Sequence, residues 1–192
     1  MRFRLASVEA RNCSAGCAKI IIAEGVIEED TPQAFVDFIN SAAVDRSVLD
    51  VVLLSSPGGH VAASMELGAT LREMGAEVVV ARSFRTAGRE MTAAGQCMSA
   101  CVYALMGGAT RIVPPHSSVG IHRMSRPEAG GAGREMRAPT RTFASKDLVG
   151  ALADYAAQMG VNPEVIRRAE GISPDDIRIL TDAEMRRWRL AR

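Results

Sequence analysis

The chain's 192 residues suffice for one generous domain with a substantial buried core, and 47% hydrophobic with 23% charged residues is an ordinary globular balance, which excludes disordered and fibrous classes. The 23 basic and 22 acidic residues nearly cancel to a formal net charge of +1, and the basic ones are scattered arginines with Lys19 and Lys146 the only lysines, so no nucleic-acid partner is expected. No apolar window approaches a membrane span and Met1-Arg2-Phe3-Arg4 does not lead into a signal-peptide core, so the chain as given is expected to be soluble, any export signal having been removed.

Residues 1–17 lack periodicity and are expected to form an irregular arm, with residues 18–192 as a single domain. Lys19-Ile20-Ile21-Ile22-Ala23 is β-branched and reads as a strand, after which Thr31-Pro32 opens a helix whose apolar face carries Phe35, Phe38, Ile39 and Ala42. Val51-Val52-Leu53-Leu54 has the continuous apolar character of a strand buried on both faces. It stops at Ser55-Ser56-Pro57-Gly58-Gly59-His60, and Ala63, Leu67, Leu71 and Met74 then mark a helix that returns to a second buried strand, Val78-Val79-Val80-Ala81. This is a parallel crossover unit, and it sets Gly58 and Gly59 at the carboxyl end of a strand, where ligands of open α/β sheets gather.

Arg85 to Ala94 is polar and small and is expected to be a loop. It leads into Gly95-Gln96-Cys97-Met98-Ser99-Ala100-Cys101, where one serine stands among small residues at the head of an apolar, buried helix. The first amides of such a helix have no intrahelical partner and can stabilise an oxyanion, although a serine in this place is ordinarily an N-cap. Arg111-Ile112-Val113 and Val119-Gly120-Ile121 read as strands, the second delivering His122 to the start of a loop. Ser125 to Thr142, rich in glycine and charge, is expected to be a mobile segment, either a flap or a plain insertion. Leu148, Leu152, Tyr155 and Met159 define a helix closed by Gly160; Asn162-Pro163 opens another, and Thr181 with Glu184 makes a capping box for a last one. His60 falls at the rim of the glycine turn and His116 in a surface turn, neither with metal-ligand company, so no metal site is expected.

The four cysteines form two pairs of equal spacing, Cys13 with Cys17 and Cys97 with Cys101. Disulfides in an oxidising compartment, buried free thiols and a four-thiolate zinc site all remain open on spacing alone, as do three disulfide connectivities. A cross-link touching Cys97 or Cys101 would stiffen the turn that holds Ser99.

Taken together, Ser56-Pro57-Gly58-Gly59, Gln96-Cys97-Met98-Ser99-Ala100 and Gly120-Ile121-His122, in that order from about Lys19 to Leu190, resemble the Clp-protease proteolytic subunit of the ClpP/crotonase superfamily. The Cys-x-Ser-Ala-Cys turn is similar to that of extracytoplasmic bacterial Clp-like proteins. The resemblance implies an α/β fold, a spiral of β-β-α units with a parallel sheet and carboxyl-terminal helices. It also implies a serine peptidase without a cofactor, assembled as a homo-oligomer and working on peptide or protein substrates. Ser99 would be the nucleophile and His122 its base, with the amides of Gly58 and Ala100 as oxyanion donors and Pro57 and Gly59 in support. No P-loop is present, so any ATP-driven unfolding would need a separate ATPase partner.

The third catalytic member fits the family less well. Alignment on Leu180-Thr181 puts Ile177 where the family has its aspartate, with Asp176 one place earlier and Asp175 two, so Asp176 is the candidate only if a bulge restores its face. Lys146 is the alternative base, because the signal-peptide-peptidase branch of the superfamily pairs serine with lysine. Two other functions stay open: an inactive relative serving in binding or assembly, and a crotonase-type thioester enzyme. An extracytoplasmic, periplasmic location is expected from the paired cysteines and the resemblance, with the cytoplasm as the alternative.

Overall fold

The computed structural model describes residues 1–7, 19–42, 48–87, 89–127 and 141–192. Cys13, Cys17 and the expected arm beyond residue 7 lie outside the described residues, as do residues 128–140 of the expected mobile segment. The main sheet has six strands. Its path runs β1 (Arg2–Ser7), β2 (Lys19–Glu24), β3 (Val48–Ser55), β4 (Glu77–Thr86) and β5 (Arg89–Ala94). A second sheet sets β6 (Gln96–Met98) parallel to β8 (Ser118–Ile121), and β7 (Thr110–Ile112) joins the first sheet alongside β4.

Strands β2, β3, β4 and β7 are parallel, as their apolar runs require once helices cover the sheet. The crossovers are α1 (Thr31–Ala42), α2 (Val61–Glu73) and α3 (Cys101–Gly107). Phe35, Leu54, Leu67, Leu71, Val78, Val80, Leu105 and Met106 are all at most 1% exposed and form the centre of the core. Two single bridges, Ile27 to Gly59 and Ser56 to Cys97, carry the chain beyond the carboxyl end of β3 and stitch it to the second sheet. The remaining elements are β9 (Ser125–Pro127), β10 (Arg141–Phe143), α4 (Lys146–Gln158), α5 (Glu164–Glu170), β11 (Arg178–Ile179) and α6 (Asp182–Arg187). The expected capping box is formed, Thr181 accepting from the Glu184 amide while the Glu184 side chain accepts from the Thr181 amide. Among the described residues, no helix is long and apolar enough to cross a membrane.

Two expectations about loops are corrected. Residues 2–7 are an edge strand paired antiparallel to β2, with Phe3 stacked on Phe35 at a ring separation of 5.0 Å, and not the start of an irregular arm. Arg89–Ala94, expected as a loop, is the second strand of a hairpin with β4. Long-range polar contacts hold that hairpin: Ser83 donates to Glu90 through its hydroxyl and to Glu24 through its amide, and Arg4 pairs with Glu90 at 2.8 Å. Burial pushes the Glu90 carboxyl up, but the Arg4 and Ser83 contacts and the Arg85 charge outweigh it and hold it below the usual glutamate value.

Candidate active site

The strand β6 ends at Met98 and α3 begins at Cys101, so the chain must reverse within two residues. It does so by placing Ser99 at φ 55°, a left-handed conformation that costs a non-glycine residue roughly 1 kcal/mol or more. The turn is fixed from both sides, since the Ser99 amide donates to the Gly120 carbonyl (2.8 Å) and the Ser99 carbonyl accepts from Val102 (3.1 Å). The ordinary role of a serine here is not filled, because Ala100 is the N-cap of α3 and no side chain caps that helix. Among the described residues the Ser99 hydroxyl has no hydrogen-bond partner.

Cys97 and Cys101 form a disulfide with a Cα separation of 5.2 Å that closes around Ser99, which rules out a four-thiolate zinc site and free thiols for this pair. Both cysteines are fully buried. A bridge over so short a loop restricts the unfolded chain modestly, so its loss in Cys97→Ala/Cys101→Ala is expected to cost roughly 2 kcal/mol in a denaturant melt. A larger proportional fall is expected in reactivity of Ser99 toward an acylating or phosphonylating probe, since the left-handed turn loses its staple. Equal probe rates for the two proteins would show that the turn holds without it.

The turn before α2 is built by Ser56, a buried hydroxyl that accepts from the Gly58 amide at 3.0 Å. Gly58 (φ 106°) and Gly59 (φ 142°) follow in conformations that L-residues avoid. A Cβ on Gly58 would lie 2.9 Å from Ser99 Cβ and 3.1 Å from the Ala100 nitrogen, and one on Gly59 would lie 2.1 Å from the Ile27 carbonyl oxygen. The Gly58 N–H, expected as an oxyanion donor, is bonded in this structure to the Ser56 hydroxyl. Gly59 is exposed, and among the described residues neither its amide nor that of Ala100 has a partner. Sequence reasoning missed Ser56, although a second serine before Pro-Gly-Gly was its visible signal. His60, between the cavity-lining residues Gly59 and Val61, is the N-cap of α2, its Nδ1 accepting from Ala63 at 3.3 Å.

His122 follows β8 directly. Ser99, His122, Gly59 and Ala100 line one cavity of about 60 Å³, walled otherwise mainly by apolar groups including Val102, Met106 and Ile166. Tyr103 also lines it, and burial together with the nearby Glu170 charge pushes its phenol well above the ordinary value, so it stays neutral and is no base. The His122 Nδ1 is buried and, among the described residues, has no partner. No hydrogen bond joins Ser99 to His122 in this unliganded geometry.

Neither expected carboxylate reaches the imidazole. Asp175 pairs with Arg141 at 2.6 Å, and Asp176 is exposed with its amide bonded to the Ser173 carbonyl. The ladder of β11 with β8 sets Arg178 opposite Ile121 and Ile179 opposite Gly120. Continued by one residue without a bulge, it sets Ile177 opposite His122. Lys146 is exposed at the first position of α4 and does not line the cavity. Among the described residues no group of His, Cys, Asp or Glu is placed to hold a metal ion.

No family model matches the chain, and no curated protein matches it. Solved structures do. A serine-to-alanine mutant of the 1510-N membrane-bound stomatin-specific protease matches with a TM-score of 0.59 at 18% identity, over 88% of this chain and 75% of that one. A lysine-to-alanine mutant of the same protease, in complex with a substrate peptide, matches with a TM-score of 0.59 at 17% identity, over 90% and 72%. At such identity the likeness concerns architecture alone: this chain shares the fold of those structures, mixed α/β with a parallel-rich sheet and carboxyl-terminal helices.

Proposed function

We propose that this chain is a serine peptidase in which Ser99 attacks the carbonyl and His122 accepts its proton. The observation that carries this reading is the unpartnered, left-handed Ser99 sharing a cavity with His122 and with two free amides. The amides of Gly59 and Ala100, in place of the Gly58 and Ala100 pair, hold the oxyanion, an arrangement worth roughly 3 kcal/mol per donor in related chemistry. The apolar walls favour a peptide with an apolar side chain next to the scissile bond. Similarity to a protease solved with a substrate peptide supports the class of substrate. The lysine replaced in that protein directs attention to Lys146, but its exposure here leaves His122 as the base. The buried disulfide fits an oxidising, extracytoplasmic compartment. Labelling by a fluorophosphonate tests the proposal: a modified Ser99 supports it, and an unmodified chain under oxidising and reducing conditions alike removes it.

A second reading has its own observation. Among the described residues Nδ1 of His122 has no partner, so none of them fixes the tautomer or orientation of the ring, which is the role of the third member of a triad. The chain would then be a feeble enzyme or a binding protein. Ile177→Asp separates the readings by placing a carboxylate at the register position opposite His122. Because Ile177 is 47% exposed, the change is tolerated, and the rate of labelling and of peptide hydrolysis is expected to rise roughly tenfold or more. An unchanged or lower rate, with an unchanged melting temperature, would show that His122 is not acting as a base.

A further inference from the structure

A second cavity of about 340 Å³ lies away from Ser99 and shares no lining residue with the first. Arg111, Arg186, Arg189 and Arg192 line it with Thr110, and no Asp or Glu side chain does. Among the described residues none of these four arginines takes part in an ion pair. Arg111 is held rigidly, donating from Nε to the Leu190 carbonyl (2.9 Å) and from its terminal nitrogens to Gly108 (2.7 Å) and Arg189 (2.9 Å). Burial, and then the charges of Arg72, Arg189 and Arg192, lower its affinity for its proton.

A purely structural role accounts for Arg111, and also for Arg72, which donates to the Met106 and Met159 carbonyls (3.1 and 2.9 Å) at helix ends. The other three are exposed, and their guanidinium groups have no hydrogen-bond partner among the described residues, so they are free to turn toward a ligand. Arg189 stands at φ 55° as the left-handed residue of the motif that ends α6, its N–H donating to the Arg186 carbonyl (3.0 Å) and that of Leu190 to the Met185 carbonyl (2.8 Å), with its own carbonyl held by Arg111. The end of α6 and the strand β7 thus bring four cations to one cavity.

We propose that this cavity is a binding site for a small polyanion bearing phosphate groups, of about the size of pyrophosphate. The planar guanidinium fork matches phosphate oxygens two at a time, and the Thr110 hydroxyl supplies a further donor. The volume corresponds to roughly ten water molecules, which admits such a ligand with part of its hydration and leaves no need for insertion into the core. Charge in the cavity favours pyrophosphate over monovalent anions, and binding weakens as salt rises.

The test is a calorimetric titration of inorganic pyrophosphate into the full chain at low ionic strength, repeated with chloride at matched ionic strength. The comparison protein carries Arg186→Gln and Arg189→Asn, asparagine being chosen because it accepts a left-handed backbone. The only tryptophan, Trp188, is 5% exposed between the two positions, so its fluorescence melt establishes that both proteins fold. Saturable pyrophosphate binding that weakens roughly tenfold or more in the variant is the expected result. Absence of saturable binding to the parent protein, equal affinity in the folded variant, or equal affinity for chloride would each overturn the proposal.

Discussion

Ser99→Ala is expected to abolish both fluorophosphonate labelling and peptide hydrolysis while leaving the melting temperature within a few degrees of the parent. The two halves of this result follow from the same geometry. No hydrogen bond is lost with the hydroxyl, since it caps no helix and has no partner among the described residues, so stability has little reason to change. The reaction loses the nucleophile that stands beside the Ala100 amide, and what survives is at most the residual rate from oxyanion donors and binding. His122→Ala is expected to lower the rate by roughly 10² to 10⁴, the usual contribution of a positioned base. Labelling that persists in Ser99→Ala, or a Ser99→Ala protein that unfolds, would return this serine to a structural role.

The order of three short motifs made much of this site legible. A buried strand before Ser56-Pro57-Gly58-Gly59, a buried helix after Ser99 and a strand before His122 are local patterns, and the fold brings them to one cavity. What sequence could not show was direction. Nothing in a Gly-Gly pair says which amide faces a ligand, and the choice of Gly59 over Gly58 rests on a Ser56 hydroxyl whose bond is visible only in three dimensions. The face of Asp176 likewise depended on the local path of the chain, and the β11 ladder begins only at Arg178, leaving Asp176 outside it and exposed. Strands β1 and β5 were missed because their stability is not local: β5 is polar, and its hairpin is held by Arg4 from the far end of the sheet. Helical spacing exposed the faces of α2 and α4 readily, whereas the closeness of α2 to α3 left no mark beyond two glycines 39 positions apart, Gly68 and Gly107.

That closeness carries the second large effect. A Cβ on Gly107 would lie 1.9 Å from the Gly68 carbonyl oxygen and 2.4 Å from its Cα, so the two helices touch backbone to backbone. On the other side, a Cβ on Gly68 would lie 2.1 Å from Tyr155 Oη, which donates to the Tyr103 carbonyl at 2.9 Å and so ties α4 to α3. Gly107→Ala has no flexible side chain to push aside and must drive α3 off α2. The expected cost is roughly 3 kcal/mol or more, a fall in melting temperature of about 10 °C for a domain of this size. Because α3 begins with the turn that holds Ser99 and the Ala100 amide, labelling should fall even at temperatures where the variant stays folded. Gly150→Ala supplies the contrast: it lies in exposed α4 with nothing within 4 Å of its added carbon, and there alanine should stabilise the helix by about 0.5 to 1 kcal/mol. If Gly107→Ala melts with the parent protein, the backbone contact between α2 and α3 does not set the position of the nucleophile.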